Sequence, residues 1–233
     1  MGMMVGVIRE ETPKHKVLGT LAGLQCREYA AQFVAKVSSA GYPEAGTQEE
    51  FSNAAFRTLA KYIGVFTTPQ NKANASGGEA IAMTAPVVMT SSEKIAMTAP
   101  VVMTSSEKID MTAAVVMGSG SERTMSFILP SKYMDAGQAP PQPLDSRVTI
   151  EKVPARLALV STFSGRSGPE DAKSRVQTLV QQIKAASDVS FELDEATKEP
   201  KWEFFGYNPP FTPPCFRTNE VAIYLTQVPP NLS

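Results

Sequence analysis

The sequence predicts an α+β fold in which an antiparallel sheet carries two helices and is assembled from two similar halves. Three observations predict it. Two segments repeat apolar residues at helical spacing behind a capping signature. Seven short runs rich in β-branched and aromatic residues surround them. The order strand–helix–strand–strand then occurs twice, dividing near Pro140.

Taken in order, Val17 to Leu21 and Phe33 to Val37 are the first strand signals. Thr47 with Glu50 three residues on forms a capping box, and Phe51, Ala55, Leu59 and Ile63 fall on one face of a helix over 48–63. Gly64 is a suitable stop, because a helix end favours a residue that tolerates left-handed backbone. A fourteen-residue unit follows, reading EAIAMTAPVVMTSS from Glu79 to Ser92. It recurs from Glu93 with Lys94 for Ala80, and decays in a third copy from Glu107, where Asp110 and Ala114 replace Ala and Pro. This length suits one strand plus a Ser-Ser-Glu-Lys turn, so neighbouring copies are expected to pair as hairpins, forming a repeated insertion over 79–120. Pro86 and Pro100 cannot donate to a ladder and belong at strand starts or on an edge. Further strands are expected at Met125 to Leu129, Val148 to Lys152, Leu157 to Phe163, Trp202 to Tyr207 and Val221 to Thr226. The second helix, over 169–185, starts at Ser167 with Glu170 and carries Ala172, Val176, Leu179, Val180 and Ile183 on one side.

Composition narrows the function. Twenty-two Lys and Arg against 23 Asp and Glu leave no basic excess for nucleic acid or for an anionic membrane surface. Cys26 and Cys215 are too few and too far apart for a disulfide framework, so reduced thiols are expected. His15 is the sole histidine, and no Cys/His/carboxylate cluster has metal-ligand spacing. Met1 to Ile8 is apolar but is followed at once by Arg9, Glu10 and Glu11, too short a run for a signal peptide or a membrane span. Residues 1–9 are expected to be a flexible N-terminus ahead of one domain over 1–233. Position 6 is Gly6 rather than Ser or Thr, which argues against myristoylation at Gly2. Neither a nucleophile elbow nor a glycine-rich phosphate loop is present, so nucleophilic and phosphoryl-transfer enzymes lack their parts.

Several words of the sequence resemble the SOUL, or haem-binding protein, family. They are Glu11-Thr-Pro-Lys14 with Arg27-Glu-Tyr29, Phe56 to Gly64 (FRTLAKYIG), and Ile81 to Val87 (IAMTAPV). Phe127 to Tyr133 (FILPSKY), Val148 to Pro154 (VTIEKVP), Phe163-Ser-Gly165, Gly206 to Pro210 (GYNPP) and Arg217 to Val221 (RTNEV) continue it in order to about residue 226. The repeated IAMTAPV resembles the bacterial and plastid-type branch. The resemblance implies two βαββ halves forming a distorted antiparallel β-barrel flanked by two helices. It also implies a binding protein with no catalytic residue and no enzyme activity, which holds haem or another porphyrin non-covalently in an apolar groove, for buffering or transport, in the cytoplasm or alternatively in a plastid.

Candidate binding residues follow from that. Arg57 and Lys61 on the first helix suit the ligand's anionic propionates, since a hydrogen bond to a charged group contributes about 1.5–3 kcal/mol. The same two residues also read as part of a solvated face. Met83 and Met97 in the repeat suit a soft wall against a flat macrocycle, or core positions on strands. His15 is the chemically obvious iron ligand, yet it stands where the family more often shows a tyrosine and reads as a strand residue. Asn219 and Glu220 read as a structural hydrogen-bonding pair joining the two halves. Two other functions compete: an interaction module whose Met-rich hairpins contact a protein partner, and an enzyme acting on a tetrapyrrole.

Overall fold

A computed structural model of the chain describes residues 10–65, 68–72, 78–91, 123–194, 197–208 and 212–233. In chain order the elements are β1 (His15–Leu21), β2 (Leu24–Tyr29), β3 (Gln32–Ser38), α1 (Gln48–Ile63), β4 (Asn71–Lys72), β5 (Val87–Ser91) and β6 (Arg123–Ile128). There follow α2 (Lys132–Asp135), β7 (Gln142–Pro143), β8 (Thr149–Val153), β9 (Arg156–Phe163), α3 (Pro169–Ala186), β10 (Trp202–Gly206) and β11 (Asn219–Leu225). Nine strands form one curled antiparallel sheet in the order β1-β2-β9-β11-β10-β5-β6-β3-β8, and β4 pairs with β7. The expected α+β fold, a distorted half-barrel with flanking helices, is what the chain adopts.

The two halves are visible as β3-α1-β5-β6 and β9-α3-β10-β11, which meet where β5 pairs with β10. Their boundary is less simple than a division near Pro140. β2 runs into β3 through Ala30 and Ala31 yet pairs with β9, while β8 runs into β9 through Pro154 and Ala155 yet pairs with β3. Each half therefore lends a strand to the other, and covalent continuity draws the two sheet margins together.

Both helices begin and end for local reasons. At α1 the Thr47 hydroxyl accepts the Glu50 N–H and the Glu50 carboxylate accepts the Thr47 N–H, completing the expected box. Gly64 ends it with φ of +83°, its N–H on the Ala60 carbonyl, and a Cβ there would stand 2.5 Å from the Pro69 ring. The start of α3 corrects the expectation. Its N-cap is Gly168 rather than Ser167, Pro169 opens the helix, and Asp171 rather than Glu170 accepts the cap N–H at 3.2 Å. Glycine has no side chain to return the bond, so only half a box forms.

Strand alternation sends one set of side chains to the helices and the other to the concave face. Toward α1, Ala35, Val37, Met125 and Phe127 pack with Phe51, Ala55 and Leu59. Toward α3, Cys26, Leu159, Val221 and Ile223 pack with Val176 and Ile183. Met89 on the central β5 touches both clusters. Burying a side chain such as Phe51 or Ile183, both fully inaccessible, stabilises by about 1.5–3 kcal/mol. The first repeat copy supplies β5, with Pro86 immediately before it as expected. Its partners are β6 and β10, not a neighbouring copy. The copies from Glu93 and Glu107, with the expected Ser91-to-Lys94 turn, lie outside the described residues.

Candidate functional site

Two regions deserve comparison as ligand seats: the concave face of the sheet and the outer face of α1. The concave face is floored by Tyr29, Val34, Val88, Ile128, Val160, Phe205 and Tyr224. Two arginine–carboxylate pairs are set into that floor. Arg27 on β2 donates to both Glu220 oxygens at 3.0 and 2.9 Å, to the Tyr29 hydroxyl and twice to Gln25 Oε1, so all five of its N–H groups are used. Glu220 also accepts from the hydroxyls of Thr162 at 2.9 Å and Tyr207 at 2.6 Å. Burial alone would ease the Arg27 proton off, but the Glu220 hydrogen bonds and the neighbouring charges hold it above the usual guanidinium range. The expected structural role for Asn219 and Glu220 is matched by these contacts, with the Asn219 amide donating to the Gly165 carbonyl at 3.0 Å.

The second pair is Arg156 on β9 with Glu203 on β10, both bonds 3.1 Å. Tyr224 on β11 donates to the same carboxylate at 2.5 Å, and its ring lies 4.0 Å under the guanidinium carbon. Burial first, and then the Glu203 charge, push the Tyr224 phenol well above its ordinary range.

Beside this second pair the face opens into a groove of about 750 Å³, within the range of small-molecule sites. Val34 and Val88 contribute apolar wall, while Leu157 and Trp202, the only tryptophan of the chain, border it from strands whose side chains there pack with the α3 cluster. Lys36 pairs with Glu151 at 3.2 Å and Lys201 with Glu192 at 2.6 Å. Lys152, Glu28 and Glu199 also line it, and neither acid has a side-chain ion pair among the described residues.

The outer face of α1 presents Arg57 and Lys61, one helical turn apart and exposed, with no ion-pair partner among the described residues. Phe56 and Met83 are half-buried and pack against the cluster under this helix, Phe56 edge-on to Phe127. The structure thus brings Arg57 and Lys61 together and places Met83 against the same core. Met97 lies outside the described residues. His15 opens β1, exposed; its Nδ1 meets the Pro13 carbonyl at 3.0 Å and its ring tilts against Tyr29. None of its contacts is with α1. The groove itself escaped sequence reasoning, because its lining comes from six separate stretches that share no motif.

The description of the SOUL heme-binding protein family matches residues 10–94 and 90–224. The chain belongs to the SOUL family. No curated protein matches this SOUL chain closely. Among solved structures it is similar to the C-terminal domain of EcmrR, at 8% identity and a TM-score of 0.50 over 91% of this chain and 99% of that one. A hydrolase from Listeria innocua is similar at 10% identity and a TM-score of 0.48, over 92% and 94% of the two chains. At such identities the likeness to EcmrR concerns the fold alone. The SOUL family is one of binding proteins, and no described helix is long and apolar enough to cross a membrane.

Proposed function

We propose that this chain binds haem or another tetrapyrrole non-covalently, to buffer or carry it, on the outer face of α1. The observation that carries the reading is family membership across residues 10–224. Arg57 and Lys61 favour that face: they are exposed cations without an ion pair among the described residues, at a spacing that lets each meet one propionate, and charge-assisted bonds to carboxylate are the strong kind. Phe56 and Met83 supply half-buried apolar surface from the cluster beneath. The concave groove suits the same ligand poorly, since its ionisable lining among the described residues is four cations against six acids and the ligand brings two more negative charges.

An absorbance titration with haemin and with metal-free protoporphyrin tests the proposal. Comparable affinity for both is expected, because the ring and propionates provide the contacts. Arg57→Glu with Lys61→Glu should weaken both by at least about tenfold. Failure of either compound to bind would overturn the reading, as would unchanged affinity in the doubly reversed variant. Strong preference for haemin would replace it with an iron-ligated site.

A further inference from the structure

We infer that the seat β5 fills between β6 and β10 accepts the second repeat copy as well as the first, so that two stretches of one chain compete for one place in the sheet. The inference stands apart from the tetrapyrrole reading. The seat is defined by what the first copy does there. The Asn71 amide donates to the Glu79 carbonyl and accepts the Glu79 N–H, and Ile81 is buried in the cluster beneath α1. The Thr84 hydroxyl donates to the Ile128 carbonyl, and that of Thr90 meets that of Thr124. Val88 packs in the concave floor, and Met89 touches both helix-side clusters. Each of these residues of the repeat recurs in the second copy, as Glu93, Ile95, Thr98, Thr104, Val102 and Met103. The one difference between the copies is Ala80 against Lys94, and Ala80 is exposed. Among the described residues, no contact of the seat distinguishes the two.

What separates the copies is how the chain enters and leaves. A Cβ on Gly78 would stand 2.3 Å from the Pro69 carbonyl oxygen and 3.0 Å from that of Asn71, so any side chain there forces backbone to move. Ser92 holds the equivalent place before the second copy, which makes the first copy the favoured occupant. Exchange also lengthens the connection from β4 from 73–78 to 73–92, and shortens that into β6 from 92–122 to 106–122. Closure probability falls as about the 3/2 power of loop length, so the two changes together oppose exchange only about two- to threefold. A two-residue turn is enough to join an antiparallel pair, so 106–122 is ample. The third copy is a poorer occupant: Ala114 replaces the buried Pro86, and Gly118 has no hydroxyl for Thr124. The second copy is thus a spare for the strand that joins the two halves.

Proline substitution tests the exchange. Val88 stands opposite Ser126 of β6 and Phe205 of β10, so a proline there removes a ladder bond from the middle of the sheet. Val88→Pro, Val102→Pro and the double variant are compared in the full chain by urea unfolding, followed by circular dichroism. Val102→Pro is expected to leave the midpoint unchanged. Val88→Pro should lower the folding constant less than about thirtyfold, because the second copy takes the seat, and adding Val102→Pro should lower it at least about thirtyfold more. Ser92→Gly should raise the folding constant of Val88→Pro about threefold or more and leave the wild type unchanged, since Ser92 meets Pro69 only after exchange. Gel filtration should find Val88→Pro monomeric. Val88→Pro as unstable as the double variant would overturn the inference, as would a Val102→Pro loss matching that of Val88→Pro. So would the same effect of Ser92→Gly in both backgrounds, none included, or a Val88→Pro dimer, in which a partner chain supplies the strand.

Discussion

Removing Arg27 should damage this protein far more than removing an ordinary surface charge, and removing Glu220 as well should give part of the loss back. The two side chains are 9% and 6% exposed, so neither can turn to water for compensation. Glu220 accepts four hydrogen bonds, two of them from Arg27; Arg27→Met leaves a buried carboxylate with Thr162 and Tyr207 alone. Breaking a buried pair from one side costs about 3–5 kcal/mol, mostly the penalty of the stranded charge. Converting that charge to an amide in Arg27→Met/Glu220→Gln removes the penalty, so the double variant should be about 1–2 kcal/mol more stable than Arg27→Met, although it carries one substitution more. Urea unfolding followed by circular dichroism measures this, with a midpoint about 1 M lower for Arg27→Met at a slope of about 3 kcal/mol per M. Arg27→Lys, which keeps the charge but loses the fork, should fall between wild type and Arg27→Met. A loss below about 1 kcal/mol for Arg27→Met, or a double variant no more stable than it, would refute the reasoning and make the pair equivalent to an exposed one.

Further outcomes are expected elsewhere in the molecule. His15→Ala should weaken haemin binding less than about tenfold and leave the Soret band in place, since His15 contacts Pro13 and Tyr29 rather than α1; loss of the band would make it the iron ligand. All six tyrosines, Tyr29, Tyr42, Tyr62, Tyr133, Tyr207 and Tyr224, are raised above 10.0, with burial the largest cause in each and Tyr29 pushed up to about 12. The folded chain therefore keeps protons that the unfolded chain loses from about pH 10. The stability linked to these phenols is intact below pH 10 and drains as pH rises through the folded values, so ultraviolet titration should show phenolate appearing together with alkaline unfolding. Burial raises the Cys26 thiol and Cys215 is exposed, so a thiol reagent should label one cysteine in the native protein and two after unfolding. Deleting 93–106 leaves the first repeat copy and β5 intact and should preserve cooperative unfolding; loss of cooperativity would make the second copy integral to the core.

What the sequence disclosed, and what it hid, follows from where each signal is stored. Helix α1 was legible to the residue because its cap, apolar stripe and stop are all local. At α3 the serine at 167 outweighed Gly168 by cap preference, so the cap moved by one residue while the helix still begins at Pro169. Strand β2 was missed for two reasons. Its hairpin turns on Ala22 and Gly23, with φ of +53° and +78°, a turn in which Asn-Gly is the usual signal and alanine conceals it. Its alternation is also masked, because Leu24 and Cys26 face the core while Arg27, on the opposite side, is a charged residue buried in a polar network with the exposed Gln25. Arg57, Lys61 and Met83 could be nominated from one stretch of helix and one repeat. The groove could not, since Glu28, Lys152 and Glu199 meet only after the two halves exchange strands.

That exchange gives the two buried pairs a mechanical meaning. Neighbouring strands lie about 4.8 Å apart, so residues on alternate strands of a flat sheet are separated by roughly twice that. Arg27 and Glu220 stand on β2 and β11 with β9 between them, and Thr162 of β9 joins the cluster. Arg156 and Glu203 stand on β9 and β10 with β11 between them, and Tyr224 of β11 fills the middle. Each pair is a staple across three strands on the concave side, and bonds of 2.9 to 3.1 Å draw the outer strands inward more than the middle one. The curl that makes a groove is thus held from inside it by charges that the groove floor already solvates. Arg156→Met should accordingly open the groove as well as destabilise the fold, and the emission of Trp202 should shift to the red. A blue or unchanged emission would mean that the curvature is set by the strand links at Ala30–Ala31 and Pro154–Ala155 alone.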